Sequence, residues 1–227
     1  LVTGLPPAAQ PSNATATFLP SGQYLQSGGS DSKGSAVDSL SLYNATTQQT
    51  TTLNFKLSVP RTGHTATVLP DGTVLILGGL GQDGYPVASA EILDVSAQQT
   101  QLISSPGLIA RSQHRATLLS DGKILITGGL SAAGSPIPEA ELWNPRTRMA
   151  DTLHANLITA RYNHLAQLLA ASPVLIQGGQ DASGKTLTSS EQYDATAQRF
   201  NTADGVTVPD TQALPAVAEI IPPSRRL

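Results

Sequence analysis

The sequence predicts an all-β fold, a β-propeller segment of four four-stranded antiparallel blades. Three observations predict it. Paired glycines recur at Gly28–Gly29, Gly78–Gly79, Gly128–Gly129 and Gly178–Gly179, a step of 50 residues with no insertion or deletion. Each pair closes a short, β-rich apolar run, as in "HTATVLPDGTVLILGG" from His64. Nowhere do apolar residues sustain the period of about 3.6 that an amphipathic helix needs. A fixed period of this size marks one supersecondary unit used repeatedly, and four short antiparallel strands per unit make a blade.

Within a unit the elements follow in order. "HTATVLP" reads as strand A, and Asp71–Gly72 is a hairpin turn signal. "TVLILGG" is a continuous apolar run of the kind buried on both faces, strand B. A ten-residue loop with a glycine at a constant place (Gly34, Gly84, Gly134, Gly184) leads into strand C, "ASAEILD" or "PEAELWN". A weaker strand D follows, for example "QTQLIS" at 99–104. The four repeats fall at about 11–60, 61–110, 111–160 and 161–210. In the same register, residues 1–10 correspond to 51–60 and resemble the last strand of a preceding blade. The tail, 211–227, reads either as a degenerate fifth repeat or as a linker into an Ig-like domain, and both readings imply a longer parent chain.

Composition removes several functional classes. A chain of 227 residues, 39% hydrophobic and 13% charged, buries a real core. Its net charge of −3, with no block of like charge, offers nothing to nucleic acid or an anionic membrane surface. The longest apolar runs, such as "VLIL" at 74–77, are too short to insert in a bilayer. With no cysteine there are no disulfides, thiolate nucleophiles or Cys-type zinc sites.

The repeat elements resemble those of the kelch family over about 200 of the 227 residues: an "R-x-x-H" lead-in, a "DG" turn, an apolar strand ending in "GG", and a C strand of the form "E-L-W-N" or "E-Q-Y-D". The family's second aromatic, in strand D, is mostly replaced, with Met149 and Phe200 the nearest occupants and only Leu53 and Leu102 in the first two repeats. That departure looks like the bacterial, leucine-rich variety. The resemblance implies a propeller that closes with roughly six or seven blades, of which this segment supplies four. The family also includes copper radical sugar oxidases, whose cysteine cross-linked to tyrosine has no counterpart here, and sialic acid mutarotases.

Three columns keep step with the glycines: Arg61, Arg111, Arg161; His64, His114, His164; and Glu91, Glu141, Glu191. Repeat one loses all three together, with Pro11, Ala14 and Ser41 in their places. Residues that disappear together touch, so each arginine is expected to pair with the glutamate of its own blade, with the histidine bonded nearby. A metal ring is not expected. Ligands sit about 2 Å from a metal, whereas equivalent atoms on adjacent blades lie at least the interstrand distance of about 4.8 Å apart. The diglycines are expected to be structural, giving positive φ and close approach at the end of strand B. His154 lies outside the columns, in a connection.

Because each charged group has repeat-mates, no unique acid–base set or Ser-His-Asp triad can be drawn. The expectation is therefore a non-enzymatic binding or structural scaffold module of a larger secreted or surface protein. It needs no cofactor or metal, and protein or glycan is recognised by loops on the propeller face. A carbohydrate-active enzyme such as a sugar mutarotase is the alternative reading, and a self-assembly module the second. Candidate binding residues are Tyr85, an aromatic in a polar loop, its neighbour Asp83, and Arg115, which alternation puts on the side of strand A away from His114. Trp143, in strand C, reads as a ring buried between blades.

Overall fold

The computed structural model describes residues 12–170, 173–203 and 217–218. The readings for residues 1–10 and for most of the tail lie outside the described residues. All regular structure among the described residues is strand, arranged as a four-bladed β-propeller.

Blade one is built from β1 (Thr15–Phe18), β2 (Tyr24–Ser27), β3 (Leu40–Asn44) and β4 (Gln49–Thr52). Blade two has β5 (Thr65–Val68), β6 (Val74–Leu77), β7 (Ala90–Asp94) and β8 (Gln99–Ile103). Blade three has β9 (Arg115–Leu118), β10 (Ile124–Thr127), β11 (Glu139–Asn144) and β12 (Met149–Asn156). Blade four has β13 (Leu165–Leu168), β14 (Val174–Gln177), β15 (Ser190–Asp194) and β16 (Arg199–Thr202). Within each blade consecutive strands pair antiparallel, as hairpin connections require. The first strands neighbour one another in the order β1, β5, β9, β13, and no comparable contact joins β13 back to β1 among the described residues.

One further strand lies in the tail. β17 (Val217–Ala218) runs parallel to β1 along the edge that β2 leaves open, Ala16 facing Val217 and Thr17 facing Ala218. It makes the first sheet five-stranded.

The core lies between blades. Leu25 and Leu40 of blade one pack with Ala66, Val68, Val74, Ile76 and Leu93 of blade two. Leu75, Leu77 and Ala90 meet Ile124, Ile126 and Trp143, and Leu125, Ala140 and Leu142 meet Val174, Ile176 and Tyr193. The continuous apolar run of β6 is explained by this arrangement: Leu75 and Leu77 face one neighbouring blade, Val74 and Ile76 the other. Truncating such a residue to alanine costs about 2–5 kcal/mol. Trp143 is fully buried in the second of these layers, and its indole N–H donates to Ser105 Oγ at 3.2 Å.

Strand D differs from the expectation in register. Opposite Tyr43, Leu93, Trp143 and Tyr193 stand Thr50, Thr100, Ala150 and Phe200. Only Phe200 is aromatic, with its ring 5.0 Å from that of Tyr193. Met149 faces Asn144 and Leu102 faces Glu91, and both side chains are exposed. Strand alternation carries Met149 to the face opposite that of Ala150, whereas Leu102 lies two residues along the strand from Thr100, out of reach of Leu93's cross-strand position.

Candidate functional site

The repeated charged residues sit where blades are joined. Each arginine lies in the lead-in to its blade's first strand and reaches back across the sheet to the third. Arg61 Nη2 meets Glu91 Oε1 at 2.5 Å, Arg111 Nη2 meets Glu141 Oε2 at 2.6 Å, and Arg161 Nη2 meets Glu191 Oε1 at 2.7 Å. All six side chains are buried. Burial pushes the Arg61 and Arg111 guanidinium pKa values down and their carboxylate partners pull them back up, while burial also pushes Glu141 up.

Each glutamate does a second job. Glu91 accepts the backbone N–H groups of Ser58 and Val59, Glu141 that of Ile109, and Glu191 those of Ile158 and Thr159. The carboxylate thereby fixes the connection that enters the blade. Removing either member of such a pair leaves the other charge buried alone.

The arginine also holds the diglycine. Arg61, Arg111 and Arg161 each donate Nη1 to the carbonyl of the first glycine of their own blade, Gly78, Gly128 and Gly178, at 2.8 Å. The second glycine then faces the next blade. Gly29, Gly79 and Gly129 donate their N–H to the carbonyls of Arg61, Arg111 and Arg161, each at 2.9 Å. A diglycine thus connects one blade's arginine side chain to the following blade's arginine backbone.

The histidines cross the junction as well, where the sequence placed them beside their own Arg–Glu pair. His64 Nε2 bonds Ser27 Oγ at 3.1 Å, His114 Nε2 bonds Thr65 Oγ1 at 3.1 Å, and His164 Nε2 bonds Thr127 Oγ1 at 3.0 Å. The hydroxyl belongs to the preceding blade every time, but not to one column. Ser27 and Thr127 end a second strand; where that position is Leu77, Thr65 of the adjacent first strand supplies the group instead. This exchange is a signal that the sequence held and that column-by-column reading passed over.

The residue before the histidine column has positive φ in all four repeats: 59° at Asn13, which precedes Ala14, 64° at Gly63, 56° at Gln113 and 53° at Asn163. The histidine ring lies against the first glycine of the preceding blade, where a Cβ on Gly28, Gly78 or Gly128 would come within 2.8, 2.8 and 2.7 Å of its Cε1. Real Cβ atoms do not approach so closely, and these glycines have φ near +60° besides, so glycine is required there twice over. Full burial, and then the Arg61 charge, push the His64 pKa down to about 3. His114 and His164 are held well below the ordinary value by burial and neighbouring arginines. The three rings are neutral scaffold groups near pH 7. Among the described residues no cluster of His, Asp or Glu is arranged to hold a metal.

Repeat one lacks these charged residues, and an open hollow of about 110 Å³ marks the place, lined by Ala14, Gln26, Gly28, Ser39, Leu40, Ser41, Thr50 and Thr52. Ser41, standing where the other blades have glutamate, donates to Gln26 Oε1 at 2.9 Å.

The candidate binding residues are spread over two parts of the fold. Tyr85 is 61% exposed on the loop between β6 and β7. That loop is tightly closed: Gly81 N–H donates to Tyr85 O at 2.9 Å, Gly84 N–H to Gly81 O at 3.0 Å, and Tyr85 N–H to Asp83 Oδ1 at 3.1 Å. Asp31 and Asp181 cap the equivalent loops through the N–H groups two and four residues on, whereas Asp83 stands two places later in its repeat. Arg115 serves the junction: its Nε donates to His164 O at 2.6 Å, and it pairs with no carboxylate among the described residues. Burial pushes its pKa down.

Compared with known proteins, the chain matches no protein-family model and no curated protein.

Proposed function

We propose that the chain is a kelch-type repeat segment that acts as a non-enzymatic binding or structural module within a larger secreted or surface protein, recognising protein or glycan through its face loops. One observation carries this reading. The repeated ionisable groups are buried and bonded within the scaffold, while the most exposed large aromatic, Tyr85, is held on a loop closed by its own backbone. A ring presented on a rigid loop loses little entropy on binding, and its apolar face with a polar tip suits a sugar or a protein surface.

The test is a glycan array together with capture of partners from the source organism, repeated with Tyr85→Ala. A binder lost in that variant, with melting unchanged, supports the reading. Turnover of a sugar that vanishes with His114→Gln would overturn it.

A further inference from the structure

Blade one keeps the oxygen cradle that holds a guanidinium in the other blades. In blade two Arg61 donates Nη1 to Gly78 O at 2.8 Å and to Ser89 O at 3.4 Å, and Nη2 to Ser89 Oγ at 3.1 Å. Blade four repeats the set on Gly178 O, Ser189 O and Ser189 Oγ at 2.8, 3.0 and 3.2 Å. Blade three, with Glu139 in the serine column, keeps the two carbonyls. Gly28 and Ser39 stand in the same columns of blade one. The glycine N–H donates to the serine carbonyl at 2.9 Å in blade one, 3.2 Å in blade two and 3.3 Å in blade four. Gly28 has the φ of its counterparts as well, 57° against 58° at Gly78 and 61° at Gly178. The cradle is therefore a product of the blade's backbone and forms without an arginine.

The side that a carboxylate closes elsewhere is different. Ile76 faces Glu91 and Ile176 faces Glu191 across the second and third strands, whereas in blade one Gln26 faces Ser41. The shorter serine turns to Gln26 Oε1, and Gln26, Gly28, Ser39 and Ser41 line the hollow of about 110 Å³. One water needs roughly 10–15 Å³, so a group the size of a side-chain head can enter. Among the described residues that line it there is no lysine, arginine or histidine.

Oxygen acceptors in this arrangement select a planar fork of N–H donors. A guanidinium supplies five, and its hydration is weaker than that of an ammonium, so it gives up less on leaving water. The net charge of −3 adds a mild attraction. With Ser41 in place of glutamate, the group is held more weakly than Arg61 or Arg161, as reversible binding requires. We propose that the hollow of blade one is a recognition site for a guanidinium group carried by a ligand, an arginine side chain of a protein partner. The site is separate from Tyr85 and stands whether or not that ring binds anything.

Backbone amide shifts, followed while the chain is titrated with Nα-acetylarginine amide, test it. Shifts are expected at Gly28, Ser39 and Ser41. Gly78, Gly128 and Gly178 are internal controls that stay still, because their cradles already hold Arg61, Arg111 and Arg161. Nα-acetylcitrulline amide, a neutral urea of the same shape, and Nα-acetyllysine amide should bind several-fold more weakly. Ser41→Glu restores the carboxylate and should tighten the arginine probe by at least about tenfold, the worth of one charge-assisted hydrogen bond. Gln26→Ile/Ser41→Glu reproduces the cross-strand pair of Ile76 with Glu91 and carries the same expectation where the single variant does not fold. Three results overturn the proposal. The absence of shifts at Gly28 and Ser39 with millimolar probe means that the cradle takes no guanidinium. Equal responses to the arginine, citrulline and lysine probes mean that the hollow does not read the group. An affinity that the folded variant leaves unchanged means that the probe sits elsewhere.

Discussion

Gly128–Gly129 and Gly178–Gly179 are the same two residues at the same place in a blade, with φ of 59° and 97° in one pair and 61° and 84° in the other. Around the third blade's pair the next blade brings the Arg161 carbonyl and the His164 ring into contact. Around the fourth blade's pair no described atom lies closer than 3.6 Å to the Gly178 Cβ position. Positive φ is therefore a property of the blade itself, and the need for clearance comes from its neighbour. One motif answers two separate demands, and only the comparison separates them.

The largest expected effect asks whether the charged pairs belong to the blade or to the junction. Arg111→Ala and Glu141→Ala should each cost about 3–5 kcal/mol, and the double variant much less than their sum. Because the pair lies within one sheet, Arg161→Ala should cost as much in blade four. Chemical denaturation of both sets checks this, and a markedly cheaper loss in blade four would assign the pair's burial to the neighbouring blade.

Next come the glycines themselves. Gly128→Ala combines left-handed strain of roughly 1–2 kcal/mol with overpacking of about 1–3 kcal/mol against the histidine ring and backbone carbonyl. Gly178→Ala should show the strain alone. Equal losses in thermal unfolding would erase the distinction between the two pairs.

Acid should separate the three histidine-bearing junctions from the fourth diglycine. His64 has a folded pKa of about 3 against an ordinary value of 6.5, so the unfolded chain binds the proton first. Its contribution is complete above the ordinary value and is lost as pH falls from 6.5 toward 3, at about 1.4 kcal/mol per pH unit, or about 2 kcal/mol by pH 5. His114 and His164 act in the same direction. Exchange protection at Gly29, Gly79 and Gly129 should weaken together on acidification, while Gly179 changes little. A His64→Gln variant whose stability falls as steeply below pH 6.5 would refute the assignment.

The smallest effect concerns the left-handed residue that precedes the histidine column. Gln113 bears a side chain at φ 56°, where repeat two has Gly63. Gln113→Gly should relieve strain and raise stability by about 0.5 kcal/mol after the entropy of the added glycine is offset. A loss of stability would show that the Gln113 side chain contributes more than its strained backbone costs.

Much of this was written in local sequence. The apolar run of "TVLILGG" and the Asp71–Gly72 turn encode their strands without reference to the rest of the chain. The Arg–Glu pairing showed through its joint loss at Pro11 and Ser41. What stayed hidden depends on how one sheet lies on another. The histidines reach the preceding blade because of the angle between blades, and their hydroxyl partner moves between two columns at Leu77 and Thr65. The pairing of Phe200 with Tyr193 depends on strand register, which a weakly apolar fourth strand does not announce. The parallel contact of Val217 with Ala16 follows no repeat column at all.

The uniform step of 50 residues has a consequence for inheritance. Each boundary between repeats is made of the same parts: a glycine amide on one side, a carbonyl and an imidazole on the other, and a hydroxyl that either of two positions can furnish. An in-frame duplication or deletion of one repeat in the gene would rejoin a diglycine to a histidine that already fits it. Copy number can then drift by recombination while every new boundary is assembled from tested pieces, and selection is left to act on the exposed loops.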